Sequence, residues 1–292
     1  MTHHRWLVSL LSLGLLGAVV HLALEHGEIL LNMRRQVLAL TVAAAMLTLL
    51  GNGLVLKWIT HAFEQPLSVA EAMTLTALGA LTNAAGGIPV GTALTLAILV
   101  QRHRFELTQI IFGKIVATIL SVCTLAALCL LIGQPAEPAA LPWLLGTIAT
   151  GGLVALKVVG RLQLARLKPV VPALSGRLLL SGIGLSVVSA CGMLLSYVIV
   201  VGAYIPELSL QEAVTLAGCS LIAGQSLFAG SLAGLQEVIV GLGAMSLSLK
   251  FATGLELGLF VRLASLIAAA LALPLAWLVQ RRAMLRRARP IP

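Results

Sequence analysis

The apolar positions of this chain fall in long runs, with no sustained alternation. Stretches at about 6–24, 36–57, 107–132, 140–157, 178–203 and 255–279 carry almost no charge. A helix rises 1.5 Å per residue, so ~20 apolar residues cross the ~30 Å hydrocarbon core of a bilayer. Each run predicts a full span. Two further apolar regions, about 68–101 and 210–247, are interrupted by Gly, Asn and Pro. Split in two, the first yields pieces of ~15 residues, short of a span. It predicts a re-entrant helical hairpin, whose non-helical tip is tolerated at membrane depth only where it is buried in protein or lines a cavity. The pieces of 210–247 are longer and leave two tilted spans open, without changing the parity of sides. The expected fold is an all-α polytopic membrane protein of about six full spans and two broken hairpins.

Composition agrees. Of 292 residues, 59% are hydrophobic and 10% charged, against ~25% charged in a soluble domain. The longest polar segment, 157–177, is too short for a separate catalytic domain, since domains rarely fall below ~50 residues. The chain contains no Asp, only ten Glu. That removes Asp-based metal and nucleotide-sugar motifs and aspartyl-phosphate chemistry. A Walker A loop and a His/Cys cluster at zinc spacing are also missing. No cofactor, metal or catalytic residue is expected. Cys123, Cys129, Cys191 and Cys219 sit in apolar segments and read as small core residues.

The net charge of +9 invites a nucleic-acid reading, but the placement of the cations follows membrane topology. Lys157, Arg161, Arg166, Lys168 and Arg177 share one loop, and Arg281, Arg282, Arg286, Arg287 and Arg289 follow the last span. Arg5, Lys57, Arg102 and Arg104 fall on the same side, while Arg34, Arg35 and Lys250 fall on the other. The positive-inside rule then predicts both termini in the cytoplasm. Trp6, Trp58, Trp143 and Trp277 lie near span ends, where indoles favour the interface. The first run reads as a span, since it exceeds a signal-peptide core and no small-residue cleavage site follows.

An internal repeat is visible. Leu-Ser-Val-Ala-Glu-Ala-Met-Thr-Leu at 67–75 returns as Leu-Ser-Leu-Gln-Glu-Ala-Val-Thr-Leu at 208–216, identical at six of nine positions and offset by 141. Gly91 then pairs with Gly234 at offset 143, Arg104-Phe105 with Lys250-Phe251 at 146, and Phe112-Gly-Lys114 with Phe260-Val-Arg262 at 148. The single integral membrane domain, 1–292, therefore divides into a first repeat at about 36–132 and a second at about 178–280. Three expected spans separate the hairpins, so the copies have opposite orientations. Inverted repeats with broken helices are common in secondary transporters, with the site near the midplane.

Glu71 and Glu212 each follow a Ser by three residues, the spacing of a capping box at a helix start. Lys114 and Arg262 instead lie about two turns inside apolar helices, where a charge is costly and faces a cavity or a partner. A pair of cations approached from opposite faces suits an anionic substrate such as a lipid phosphate. Glu237, in an uncharged stretch, is the expected partner of Arg262 or a proton-coupling carboxylate. Glu256, near a span end, is expected to be solvated. Asn83 and Gly91, with Gly86, Gly87 and Pro89, mark the first hairpin tip; Gln225, Gly230 and Gly234 mark the second. Glycine permits close backbone approach, and free N–H groups at a helix start bind anions.

The run Ala229-Gly-Ser-Leu-Ala-Gly234-Leu-Gln-Glu237, followed by Phe260-Val-Arg262-Leu263, resembles the transmembrane region of lysylphosphatidylglycerol synthases. That family includes stand-alone, flippase-like membrane proteins. Its second motif runs Pro-Gly-Gly-x-Gly-x-x-Glu, with Tyr-Arg-Leu in the next helix. Gly234, Glu237 and Arg262 match; the leading proline is absent, and Phe260 stands at the tyrosine. Its first motif has a Pro, a Gly-Glu pair and an Arg. Ile88-Pro89-Val-Gly91-Thr92 keeps the Pro and Gly and has Thr for Glu. The resemblance runs over about residues 5–280. It implies a bacterial inner-membrane protein that moves a phospholipid or lipid-linked intermediate with an anionic headgroup between leaflets, without the synthase's soluble domain. The alternative is a non-transporting accessory subunit, partnered with a lipid-modifying enzyme or glycosyltransferase of hopanoid or glycolipid synthesis. A membrane-embedded transferase has the least support, because no acid–base pair is evident.

Overall fold

The computed structural model describes residues 17, 20–21, 29, 32–86, 90–132, 176–225 and 234–287. They form α1 (Arg35–Ala62), α2 (Val69–Gly86), α3 (Val90–His103), α4 (Leu107–Ile132), α5 (Gly176–Tyr204), α6 (Leu210–Gln225), α7 (Leu235–Ser246) and α8 (Phe251–Arg287). No strand occurs among the described residues. Most of the expected span at 6–24, all of that at 140–157 and nearly all of the basic loop after it lie outside them.

Among the described residues, three stretches are long and apolar enough to cross a membrane: Arg35–Ala62, Leu180–Tyr204 and Phe251–Val279. Leu180, Leu271, Leu275 and Val279 point outward, while Thr41, Ser186, Ser196 and Glu237 are buried. Apolar side chains outside and polar ones inside is an arrangement suited to lipid. Several hydroxyls are satisfied locally, though those of Ser186 and Thr124 have no partner among the described residues. Thr41, Thr74, Thr82 and Ser196 each donate to the carbonyl four residues back, so they need no water.

The interrupted regions become two antiparallel helix pairs. α2 and α3 have 18 and 14 residues, and α6 and α7 have 16 and 12. At 1.5 Å per residue these are about 27, 21, 24 and 18 Å long, all below the ~30 Å core. Both pairs begin with the expected capping box. The Ser68 N–H donates to Glu71 Oε2 at 3.0 Å and the Glu71 N–H donates to Ser68 Oγ at 3.2 Å. The Ser209 N–H and Glu212 N–H repeat this at 2.7 and 3.3 Å. The two acids are structural, as their spacing indicates.

α1 and α5 share the most extensive interface. Its closest approach rests on two glycines: a Cβ on Gly51 would strike the Ser189 backbone, and one on Gly192 would strike Thr48. Further packing joins α1 to α2, α4 and α8; α5 to α4, α6 and α8; α2 to α3 and α8; α6 to α4 and α7; and α3 to α4 and α7 to α8. The last two differ most. α7 lies along α8, whereas α3 scarcely touches α4.

Candidate functional site

The gap left by α3 is a cavity of about 330 Å³ among α1, α2, α3 and α4. Lys114 lines it, together with Asn52, Thr76, Asn83, Gly91, Thr92, Thr95, Thr118 and Ser121. Lys114, Thr118 and Ser121 fall at i, i+4 and i+7, one polar stripe on an otherwise apolar helix. Among the described residues no carboxylate lines the cavity, and Lys114 has no ion-pair partner.

Side chains tie the end of α2 to the start of α3. Asn83 Oδ1, near the end of α2, accepts the Gly91 N–H at 2.8 Å. Gly91 sits so close to α2 that a Cβ would collide with the Gly79 carbonyl. Thr95 Oγ1 donates to the Gly91 carbonyl at 2.8 Å. Asn52 enters from α1, its Oδ1 accepting the Ser189 hydroxyl at 2.8 Å.

The second polar cluster is closed. Arg262 Nη1 of α8 donates to Glu237 Oε1 of α7 at 2.8 Å. The arginine side chain keeps 19% of its surface exposed and the glutamate none. A Cβ on Gly258 or Gly254 would crowd Glu237 and the α7 backbone, so these glycines let α7 lie against α8. Gln236 Nε2 donates to Ser220 Oγ at 2.6 Å across α6 and α7. Glu237 Oε2 and the Tyr197 hydroxyl are buried with no hydrogen-bond partner among the described residues. Gly234 precedes α7 with φ of 93°, a left-handed backbone that favours glycine.

The expected residues thus form two groups. Asn83, Gly91 and Lys114 share the cavity, and Glu237 and Arg262 form the ion pair with Gly234 at the start of α7. Gln225 closes α6, but its side chain lies outside the described ones, as do Gly87, Pro89 and Gly230. Arg262 does not line the cavity. The difference between the halves is written in the sequence: at the offset linking Gly91 to Gly234, Glu237 falls on Leu94, and at that linking Lys114 to Arg262, Gly258 falls on Ile110. Asn52, Tyr197, Ser220 and Gln236 went unread. The available signal was a neutral polar group inside an apolar run.

Two expectations are corrected. Glu256 is not solvated: it is 1% exposed, and both carboxylate oxygens accept the Ile29 N–H, at 3.1 and 3.2 Å. The chain before α1 reaches α8 at that point, which distance along the sequence cannot reveal. Trp58 is not an interfacial anchor. It is buried against Gly182, and its indole N–H donates to the Leu178 carbonyl at 2.8 Å. Trp277 is exposed, with the Arg281 guanidinium 5.4 Å from its ring centre.

Long apolar helices around buried polar clusters define an α-helical integral membrane protein. No protein-family model matches the chain, and neither a curated protein nor a solved structure matches it.

Proposed function

We propose that the chain is a lipid translocase of the flippase-like, lysylphosphatidylglycerol-synthase transmembrane type. It moves a lipid with an anionic headgroup between leaflets while the acyl tails stay in the bilayer. The observation that carries this reading is the pair of cations, Lys114 in α4 and Arg262 in α8, held inside apolar helices beside buried polar groups. Such charges are costly in lipid and mark substrate pathways.

An inverted repeat is part of the proposal. Exchanging α1–α4 with α5–α8 carries every packing pair named above onto another, with α1 against α5 mapping onto itself. Gly51 and Gly192 are related by the offset of 141, as are the Thr48 and Ser189 they touch. Both observations support two copies related by a pseudo-two-fold axis. The three expected spans between the hairpins put that axis in the membrane plane, with both termini cytoplasmic. The path then runs between two hairpins entering from opposite faces. Lys114 and Arg262 engage the anion in turn, and Glu237 holds Arg262 between turns.

The test is scrambling of fluorescent phospholipids in proteoliposomes containing only this chain. The expected result is rapid loss of protected inner-leaflet signal to an external quencher, and a rate at least tenfold lower for Arg262→Ala. Normal movement in the variant overturns the mechanism. No movement by a folded wild-type protein, with a lipid-modifying enzyme or glycosyltransferase co-purifying, moves the assignment to the accessory subunit.

A further inference from the structure

We propose that the cavity around Lys114 is a binding site for a phosphate group. This deepens the translocase reading and names the anion that its first half takes. Protonated Lys114 supplies a positive charge with three donor hydrogens, and among the described residues no carboxylate lines the cavity to cancel it. The two amides are oriented to help. A backbone N–H can only donate, so the Gly91–Asn83 bond fixes Asn83 Oδ1 as the acceptor and leaves its NH2 group as the free end. Asn52 Oδ1 accepts the Ser189 hydroxyl, which in this arrangement leaves its NH2 group.

Thr92, Thr118 and Ser121 make no hydrogen bond among the described residues and have rotatable hydroxyl donors for the same space. Thr76 and Thr95 spend their hydrogens on helix carbonyls and offer only lone pairs. The donors therefore prevail, and they arrive from α1, α2, α3 and α4. Donors spread over four helices match the divergent oxygens of a tetrahedral phosphate better than the planar pair of a carboxylate. A lysine binds phosphate as a point charge and needs no fixed fork.

In the second half the matching cation, Arg262, is already occupied by Glu237. An anion entering this conformation meets the Lys114 side first. A lipid headgroup and a soluble phosphate ester present the same chemistry to the site.

The experiment is equilibrium binding to the full chain in a neutral maltoside detergent. The probes are inorganic phosphate, glycerol 3-phosphate, short-chain phosphatidylglycerol and an uncharged short-chain glucosyl diacylglycerol. The variants are Lys114→Met and Asn83→Asp. The second keeps an oxygen acceptor for the Gly91 N–H while adding a repelling charge. Melting and gel filtration establish that each is folded.

The expected result is binding of phosphate-bearing probes only, weakened at least tenfold in both variants and within twofold for Lys250→Met, which removes a cation outside this cavity. Equal affinity of wild type and Lys114→Met, or equal binding of the uncharged lipid, overturns the site. Lys114-dependent binding of glycerol 3-phosphate but not of the phospholipid keeps the site and overturns the lipid reading. Lys114-dependent phospholipid binding without scrambling keeps the site and overturns translocation.

Discussion

The pair of Arg262 and Glu237 shows what a residue can owe to its partner. Removing one member of a buried ion pair strands the other and costs roughly 3–5 kcal/mol. With 19% of the Arg262 side chain exposed, Glu237→Gln should fall at or below the lower end of that range. Arg262→Met strands a fully buried carboxylate. The double variant, Glu237→Gln with Arg262→Met, removes both charges and should melt above either single variant in detergent. Additive losses in the melts would mean that the two side chains are not coupled. The pair was legible because a charge in an apolar run stands out. Asn52 and Tyr197 were not, because a single neutral polar side chain in a membrane helix serves packing, back-bonding or a site with equal economy. The burial of Glu256 is not legible for a different reason: it is bonded by Ile29, 227 positions away, and no local pattern encodes that contact.

At the level of elements, the pattern of apolar runs anticipated most boundaries. The run at 107–132 coincides with α4, and the run at 178–203 with nearly all of α5. The two interrupted regions became α2–α3 and α6–α7, because capping boxes and glycines announce where a helix starts or turns. The crossing of α1 with α5 is not legible in the sequence, since glycine in an apolar run marks neither its neighbour nor its depth. It nevertheless makes a sharp prediction. Gly51 packs on Ser189 and Gly192 on Thr48, and overpacking a well-filled interface costs typically ~1–3 kcal/mol. Gly51→Val and Gly192→Val should each lower the melting temperature by similar amounts. Gly184→Val, where a Cβ meets nothing within 4 Å, should leave it nearly unchanged. A large drop at Gly184 with none at Gly51 would place the tight crossing elsewhere.

For the whole molecule, the two halves share a packing scheme but not a state. α7 is clamped to α8 by Glu237, Arg262 and the glycines that admit it, whereas α3 stands off α4 and leaves Lys114 facing a cavity. A symmetric bundle kept only for stability has no use for a lysine facing a polar cleft, because a charge at membrane depth is costly. An exchanger between two faces has reason to hold one half apart while the other is shut. That interpretation requires the proposed inverted orientation, which single cysteines can read. With Cys123, Cys129, Cys191 and Cys219 replaced by Ala, cysteine is introduced at Gln65, before α2, or at Glu207, before α6; both positions are exposed. On the proposed orientation, residue 65 lies on the cytoplasmic side and residue 207 outside. An impermeant maleimide applied to intact cells should therefore label Glu207→Cys at once and Gln65→Cys only after the membrane is opened. Labelling of both from one face would return the two hairpins to the same side. The cavity around Lys114 and the Arg262–Glu237 pair would then belong to one vestibule, and a path alternating between them would no longer connect the leaflets.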